Sequence, residues 1–201
     1  KVILPLHLDP SIKVDIDTPA DWEKYEAVLR GGRLRIVTPG PLKRPLPKKV
    51  SLLALDFDGV MTDDCVEVNQ TGAESVVCSR SDGMGIRFLR EAGVRVVVIS
   101  SEENPVVSAR CKKLKIDCVQ GTVEKAEKLT GYCAENGIPL SEVVYVGNDV
   151  NDLPCFPIAA CAVVPNDARE AMRSVADIVL KERGGHGAVR EACELIMVRL
   201  A

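Results

Sequence analysis

Apolar positions in this chain gather into short, nearly uninterrupted runs separated by longer stretches of mixed polarity. From Ser51 onward, Leu52–Asp56, Val94–Ser100, Val143–Val146, Cys161–Val164 and Ile178–Leu180 read as strands. Short aliphatic runs bounded by turn residues suit strands buried on both faces. Between them, Gly85–Glu91, Pro105–Leu114, Val123–Glu135, Ala168–Val175 and Ala188–Val198 are helical candidates. Strands alternating with helices predict an α/β fold, a parallel sheet with helices on both faces. In such sheets ligands bind outside the carboxyl ends of the strands. One segment breaks the rhythm. The run DCVEVNQTGAESVVCS, Asp64 to Ser79, alternates apolar and polar residues around Thr71-Gly72, which predicts a projecting β-hairpin.

Residues 1–50 differ in character. Val37–Val50 holds four prolines and four basic residues, the composition of an extended linker. Ahead of it, Thr18 reads as a helix N-cap, with Pro19 at the first helical position and acids in the first turn. This region is too short for a core of its own. The expected organisation is an appendage over residues 1–50 and a globular domain over residues 51–201. The chain opens on Lys1 rather than Met, as a piece of a longer protein would.

Composition narrows the class. A chain of 201 residues, 46% of them hydrophobic, can bury a sizeable core. A net charge of −3 gives no pull toward nucleic acid or an anionic membrane surface. No apolar run reaches membrane-spanning length, and no signal peptide is read at the start. The eight cysteines form no Cys-x-x-Cys pair, and the two histidines, His7 and His186, are too few to complete a zinc cluster. Several cysteines sit inside apolar runs, where a free thiol behaves as a small hydrophobe. The expectation is reduced thiols in a cytoplasmic protein.

The candidate chemistry falls at strand ends. A buried-looking strand runs straight into Asp56-Phe57-Asp58-Gly59, and charges at the end of a core strand are costly unless paired or bound to a cation. One carboxylate facing a divalent cation and a phosphorus centre can act as nucleophile. A second, two residues on, can protonate a leaving oxygen and later activate water. Ser100 closes VRVVVIS, where its hydroxyl and the adjacent N–H groups can hold phosphate oxygens. Lys125, in the first turn of a helix after a short strand, could offset charge on both phosphate and Asp56. In VVYVGNDVNDLP, residues Asn148, Asp149 and Asp152 offer oxygen ligands of the kind magnesium prefers.

Each signal alone has a plainer reading as a turn, a helix cap or a solvated charge. An EF-hand fails because Val60 stands where a ligand is needed and Met61 where the loop needs glycine. RGGHGAVRE lacks the Lys-Ser/Thr of a phosphate loop, and DGMGIRFL lacks the third glycine of a dinucleotide fingerprint. What favours chemistry is the order of all four signals along one edge of the inferred sheet.

Together LDFDGVMT, the strand-end Ser100, Lys125 and GNDVND resemble the four motifs of the haloacid dehalogenase-like (HAD) phosphatases. The hairpin, RSDGMGIRFLREAGVRVVVIS, VQGTVEKAEKL and GGHGAVRE resemble the capless 3-deoxy-D-manno-octulosonate 8-phosphate phosphatase group, over roughly Ser51 to Leu200. The resemblance implies a Rossmann-like HAD fold without a cap domain. It implies Asp56 as nucleophile, Asp58 as general acid/base, and Ser100 and Lys125 as phosphate binders. It also implies Mg2+ held by Asp56, the Asp58 carbonyl and the loop at Asn148. The octulosonate enzymes usually carry Asp where this chain has Asn148, so the ligand from this loop is either the Asn148 amide oxygen or Asp149. An Asn removes one negative charge and should weaken magnesium binding.

VDIDTPADWEKYEAVL is similar to the closing segment of N-acylneuraminate cytidylyltransferases, where acids matching Asp15 and Asp17 help hold the nucleotide's metal. The rest of such an enzyme is absent, so no cytidylyl transfer is expected from these residues. A phosphatase fused to sialic-acid activation implies a nine-carbon keto sugar acid 9-phosphate as substrate. After Ser100 this chain reads Ser101-Glu102 where the octulosonate branch usually has Gly-Arg. It thereby resembles the nononate-phosphate phosphatases, which have basic residues at positions matching Arg110 and Lys113. The plainer reading is that Glu102 and Glu103 decorate a helix N-terminus. The resemblance further implies a homotetramer whose hairpins pack together and whose neighbouring subunits complete each site. An eight-carbon substrate, a non-catalytic oligomerisation domain and a receiver-like domain are the alternatives. Intact Asp56, Asp58 and Lys125 speak against a scaffold, and the second Asp and the hairpin do not suit a receiver.

Overall fold

The computed structural model describes residues 43–200; the helix read at Thr18 lies outside the described residues. The chain divides into two units, Lys1–Leu42 and Lys43–Ala201. Within the second unit, β1 (Leu52–Leu55), β4 (Arg95–Ile99), β5 (Asp117–Val119), β6 (Val143–Val146), β7 (Cys161–Val164) and β8 (Ile178–Val179) form a parallel sheet in the order β5-β4-β1-β6-β7-β8. The β1 strand lies between β4 and β6, with Leu55 opposite Val98 on one side and Val146 on the other. Its carboxyl end, where Asp56 is the next residue, therefore sits at the point where the strand order changes direction.

Alternation along the central strands builds a core on each face. Leu53, Leu55, Val96, Val98, Val144 and Val146 point to one side. There they meet α1 (Arg80–Glu91) and α5 (Ala188–Leu200) through Ile86, Leu89 and Ile196. Leu52, Ala54, Val97, Ile99, Val143 and Tyr145 point to the other side. They pack under α3 (Lys125–Glu135) and α4 (Glu170–Val175), against Leu129 and Met172. All the strand residues named here are almost fully removed from water, as a sheet covered on both faces requires.

The helix after the hairpin starts earlier than its apolar spacing suggests. Gly83 and Gly85 weaken the helical signal, yet α1 begins at Arg80 because the Ser79 hydroxyl accepts the N–H groups of Ser81 and Asp82. Gly85 is needed there: a Cβ would run into Arg190 of α5. The helix α2 (Val106–Leu114) ends at Lys115, which adopts a left-handed conformation with φ 58°. The hairpin is shorter than the alternation implies. Only β2 (Glu67–Val68) and β3 (Glu74–Ser75) pair, across a turn in which Asn69 Oδ1 accepts the N–H groups of Thr71 and Ala73. Val76 and Cys78 pack onto the chain's own core, while Val66, Val68 and Val77 face outward, each more than half exposed.

Residues 43–50, whose composition reads as linker, are anchored. The Arg44 Nε reaches Asp177 Oδ2 at 2.9 Å, and its terminal nitrogens bond the carbonyls of Ala159 and Phe156 at 2.6 and 2.9 Å. Asp177 is nearly buried and also accepts the Ala162 N–H at 2.7 Å. Losing the arginine leaves the nearly buried Asp177 carboxylate with a desolvation cost that the ion pair no longer compensates. Arg44→Ala should therefore destabilise the unit by about 2–3 kcal/mol, the value of a charge-assisted hydrogen-bonded group. Urea denaturation should show that loss in the variant and a larger one in a chain begun at Ser51, which also gives up the buried Val50. A Ser51 chain as stable as the longer one would mean that the anchor contributes nothing.

Candidate active site

The candidate nucleophile position is made by the end of β1. Asp56 N–H completes the sheet ladder by donating to the Val146 carbonyl at 2.9 Å. The chain then turns sharply, with the N–H groups of Val60, Met61 and Thr62 converging on the Phe57 carbonyl. Gly59 takes φ +70° and lies so close to Asn148 that a Cβ would overlap the Asn148 amide. Thr62 is fully buried, and its hydroxyl accepts the Gly59 and Asp64 N–H groups at 3.2 and 3.3 Å. The loop that carries Asp58 is thus held from inside.

Lys125 opens α3 and brings its ammonium, with no exposed side-chain surface, to Asp56 Oδ1 and Asp152 Oδ1, both at 2.8 Å. Asp56 Oδ1 also accepts the Phe57 N–H at 2.7 Å. Among the described residues the other oxygen, Oδ2, takes no hydrogen bond, so it is the one left open. Asp152 has the opposite character. Its Oδ1 receives Lys125 and the Tyr145 hydroxyl, and its Oδ2 receives the Asn148 and Asp149 N–H groups. Sequence alone offers Asp152 as one more oxygen ligand. The fold uses it up as a buried anchor, and Gly147 leaves the space that its carboxylate fills.

Ser100 is buried at the end of β4, with its N–H on the Val119 carbonyl and its hydroxyl accepting the Glu102 N–H at 3.1 Å. Thr122 N–H reaches the Ser100 carbonyl at 3.2 Å, which stitches the loop before Lys125 to this strand end. Glu102 faces Asp58 across a cleft of about 140 Å³ that Asp64, Glu74, Asn104 and Val106 also line. Asn104 closes one wall by donating to Glu74 Oε2 of β3 at 2.9 Å. Ser101 is exposed. The single chain brings neither Arg110 nor Lys113 to this cleft. Arg110 donates to the Ser79 carbonyl at 2.8 Å, and Lys113 lies at the far end of α2, beside Arg87 and Arg90.

A family model described as haloacid dehalogenase-like hydrolase matches residues 87–191. The chain belongs to the haloacid dehalogenase-like hydrolases. It is 31% identical over 163 residues to a 3-deoxy-D-manno-octulosonate 8-phosphate phosphatase of Escherichia coli, covering 79% of this chain and 87% of that protein. The structure of the Moraxella catarrhalis 3-deoxy-D-manno-octulosonate 8-phosphate phosphatase, holding magnesium, phosphate and its sugar, superposes with a TM-score of 0.73 at 33% identity. That match covers 76% of this chain and 88% of the other. N-acylneuraminate cytidylyltransferase of Oncorhynchus mykiss is 31% identical over 193 residues, which is 94% of this chain and 43% of that protein. The chain thus spans less than half the length of the cytidylyltransferases it matches. This HAD hydrolase lies in the sugar-phosphate phosphatase branch of the family. Among its described residues no cap domain is inserted; the hairpin alone interrupts the α/β order.

Three features of the HAD chain suit a hard divalent cation. Asp56 and Asp152, both buried, share one ammonium, which leaves an uncompensated negative charge in the site. Asp58 adds a half-buried carboxylate beside it. The Asn148 amide, nearly buried against Gly59, makes no hydrogen bond among the described residues. Asp149 is occupied instead, capping the 3-10 turn at Val150 and meeting Arg169 Nε at 3.3 Å. Oxygen donors and a charge deficit fit magnesium. No three acidic, histidine or cysteine side chains gather as a metal cluster among the described residues.

The same deficit shows in the carboxyl groups. Burial, and then the Asp152 charge, push Asp56 up from 3.8 to about 7 against the pull of Lys125. Burial first, then Glu102 and Asp64, also raise Asp58, which suits a group that must hold a proton to give. Burial, with Asp152 alongside, pushes the Tyr145 hydroxyl well above its usual range, so it stays a donor. Sequence reasoning passed over Tyr145, Thr62 and Thr122; a polar residue inside an apolar strand was the available signal for the first.

A raised carboxyl pKa stabilises the fold below the unfolded value and ceases to do so as pH rises through the folded value. In protein stripped of divalent cations, stability should therefore fall between pH 3.8 and about 7. Asp56→Asn should flatten that fall in urea titrations across this range. An equally steep decline in the variant would show that Asp56 is not the strained group.

Proposed function

We propose that this HAD hydrolase is a magnesium-dependent phosphomonoesterase acting on a nine-carbon keto sugar acid 9-phosphate, a nononate or N-acylneuraminate 9-phosphate. The observation that carries the catalytic reading is the buried Lys125 ammonium, which holds Asp56 by Oδ1 and leaves Oδ2 open at the sheet edge. In this reading Asp56 Oδ2 attacks phosphorus and forms an aspartyl phosphate as the ester P–O bond breaks. Asp58 gives its proton to the leaving sugar oxygen, then takes one from the water that hydrolyses the aspartyl phosphate. Ser100 and Lys125 hold the phosphate oxygens. Asp56, the Asp58 carbonyl and Asn148 would hold the magnesium ion, with Asp149 the less favoured donor because Arg169 and Val150 engage it. When bound, magnesium supplies positive charge to the phosphate and to the carboxylate cluster.

The nine-carbon choice is supported by the match to a cytidylyltransferase that uses N-acylneuraminate by name, over 94% of this chain, and by Glu102 beside Asp58. In this reading residues 1–50 are the closing part of a cytidylyltransferase with its linker, and residues 51–201 the phosphatase. The described lining of the cleft is rich in acids and holds no lysine or arginine, so among the described residues it offers a sugar carboxylate no cation. A homotetramer supplies one from a neighbour, Arg110 or Lys113 being the candidates, and covers the outward Val66 and Val68 of the hairpin. Ser101 and Glu102 face the sugar. The eight cysteines are all unpaired, and no described helix is long and apolar enough to cross a membrane; a cytoplasmic setting agrees with both.

Phosphate release across eight- and nine-carbon sugar acid phosphates, with and without magnesium, tests this function. Turnover should require magnesium and favour the nine-carbon ester. Asp56→Asn should lower turnover by about a thousand-fold or more, as loss of a nucleophile does. Activity near wild type in Asp56→Asn would rule out the aspartyl phosphate, and equal or better turnover of the eight-carbon ester would replace the substrate. A magnesium titration of Asn148→Asp should show tighter binding; an unchanged midpoint would assign the ligand to Asp149.

A further inference from the structure

Tyr145 stands apart in its strand, since the other residues of β6 are valines. Its side chain is wholly buried. The ring meets Phe156 edge-on, with centroids 6.3 Å apart and planes at 63°, so core packing determines where the hydroxyl lies. A buried hydroxyl is costly unless bonded. This one donates to Asp152 Oδ1 at 2.7 Å, and the same oxygen receives Lys125 Nζ at 2.8 Å. The second oxygen of Asp152 is held by the Asn148 and Asp149 N–H groups, at 2.9 and 3.4 Å. The carboxylate cannot swing, and its two donors on Oδ1 must share it.

We propose that Tyr145 is a positioning residue for the phosphate site: by sharing Asp152 Oδ1 with Lys125, its hydroxyl keeps the ammonium poised between Asp152 and Asp56. The inference rests on the phosphatase reading above. An oxygen that already accepts one hydrogen bond attracts a second donor less strongly, and in a water-poor site that difference is not screened away. Without the hydroxyl, Asp152 Oδ1 draws Lys125 closer and takes it from Asp56 and from an arriving phosphate. The Asp152 Oδ2 side is unaffected, so the Asn148 loop stays where it is. Phe in place of Tyr keeps the ring and its contact with Phe156, so the change is confined to this one hydrogen bond.

The test is a double-mutant cycle in the full chain with magnesium present, using Tyr145→Phe, Asp152→Asn and the pair. Calorimetry reads the affinity for inorganic phosphate, and turnover of a generic aryl phosphate gives kcat and KM. Tyr145→Phe should weaken phosphate binding about five- to ten-fold, the equivalent of one net hydrogen bond, and raise KM more than it lowers kcat. In the Asp152→Asn background the same substitution should change phosphate affinity by less than about two-fold, since the oxygen it acts through has changed. Wild-type phosphate affinity in Tyr145→Phe, or an equal loss in both backgrounds, overturns the inference alone. A Tyr145→Phe chain too unstable to assay also overturns it, because the role assigned is confined to the hydroxyl. Failure of the wild-type chain to bind phosphate at all removes the phosphatase reading beneath it.

Discussion

The site depends on one ammonium placed where water cannot reach it. Lys125 has two buried carboxylates within 2.8 Å, and each partner comes from a different part of the chain. Asp56 ends the central strand, Asp152 comes after β6, and Lys125 begins the helix after β5. Bringing a lysine into a protein interior is costly, and two carboxylates more so, unless each compensates the other. Here the compensation is incomplete by one charge. Burial first, and then the Asp152 charge behind that imbalance, raise the Asp56 carboxyl toward neutral pH, and the surplus negative charge suits a cation at the strand end.

Several features that look unrelated to chemistry serve this arrangement. Gly147 and Gly59 are small because Asp152 and Asn148 occupy the space a Cβ would need. The glycine run near the C-terminus packs its backbone on the Asp58 loop: Gly185 donates to the Val60 carbonyl at 3.1 Å, and a side chain at Gly184 would collide with the Gly59 carbonyl. Asp82, buried in the first turn of α1, accepts the Arg190 N–H at 2.9 Å and ties the helix that follows this run to the helix after the hairpin. A segment that makes a poor phosphate loop by composition is thus a backing for the loop that carries the candidate acid.

The cleft beside Asp58 presents a contrast. Lys125 is buried behind Asp56, whereas the open wall offers Asp58, Asp64, Glu74 and Glu102. Such a wall accepts hydroxyl donors and repels anions, so an anionic sugar phosphate needs positive charge from outside this wall. Arg110 does not answer that need within one chain, because its guanidinium is turned inward to Ser79 and its Nε is buried with no partner among the described residues.

Five of the six sheet strands and their parallel arrangement were legible in the sequence; β5, three residues long and opening on the exposed Asp117, was not among the aliphatic runs. Near-continuous aliphatic runs leave a two-faced sheet as the simplest way to bury them, and the residues just past each run then fall at one edge. The identity of Asp56, Asp58, Ser100 and Lys125 as neighbours came from that register. What composition could not reveal is where long side chains go once the backbone is set. Asp149 and Asp152 look alike as acids after a strand; the 3-10 turn sends one to cap its own start and the other under Lys125. Arg44 reads as linker charge until Asp177, 133 residues away in sequence, is brought beneath it. Val66, Val68, Val76 and Cys78 all stand at alternating positions of the Asp64–Ser79 run, but with β2 and β3 so short Val76 and Cys78 pack onto the core while Val66 and Val68 face outward. Periodicity determines which residues share a face; only tertiary packing decides which buried charge meets which, since that depends on distances between segments remote in the chain.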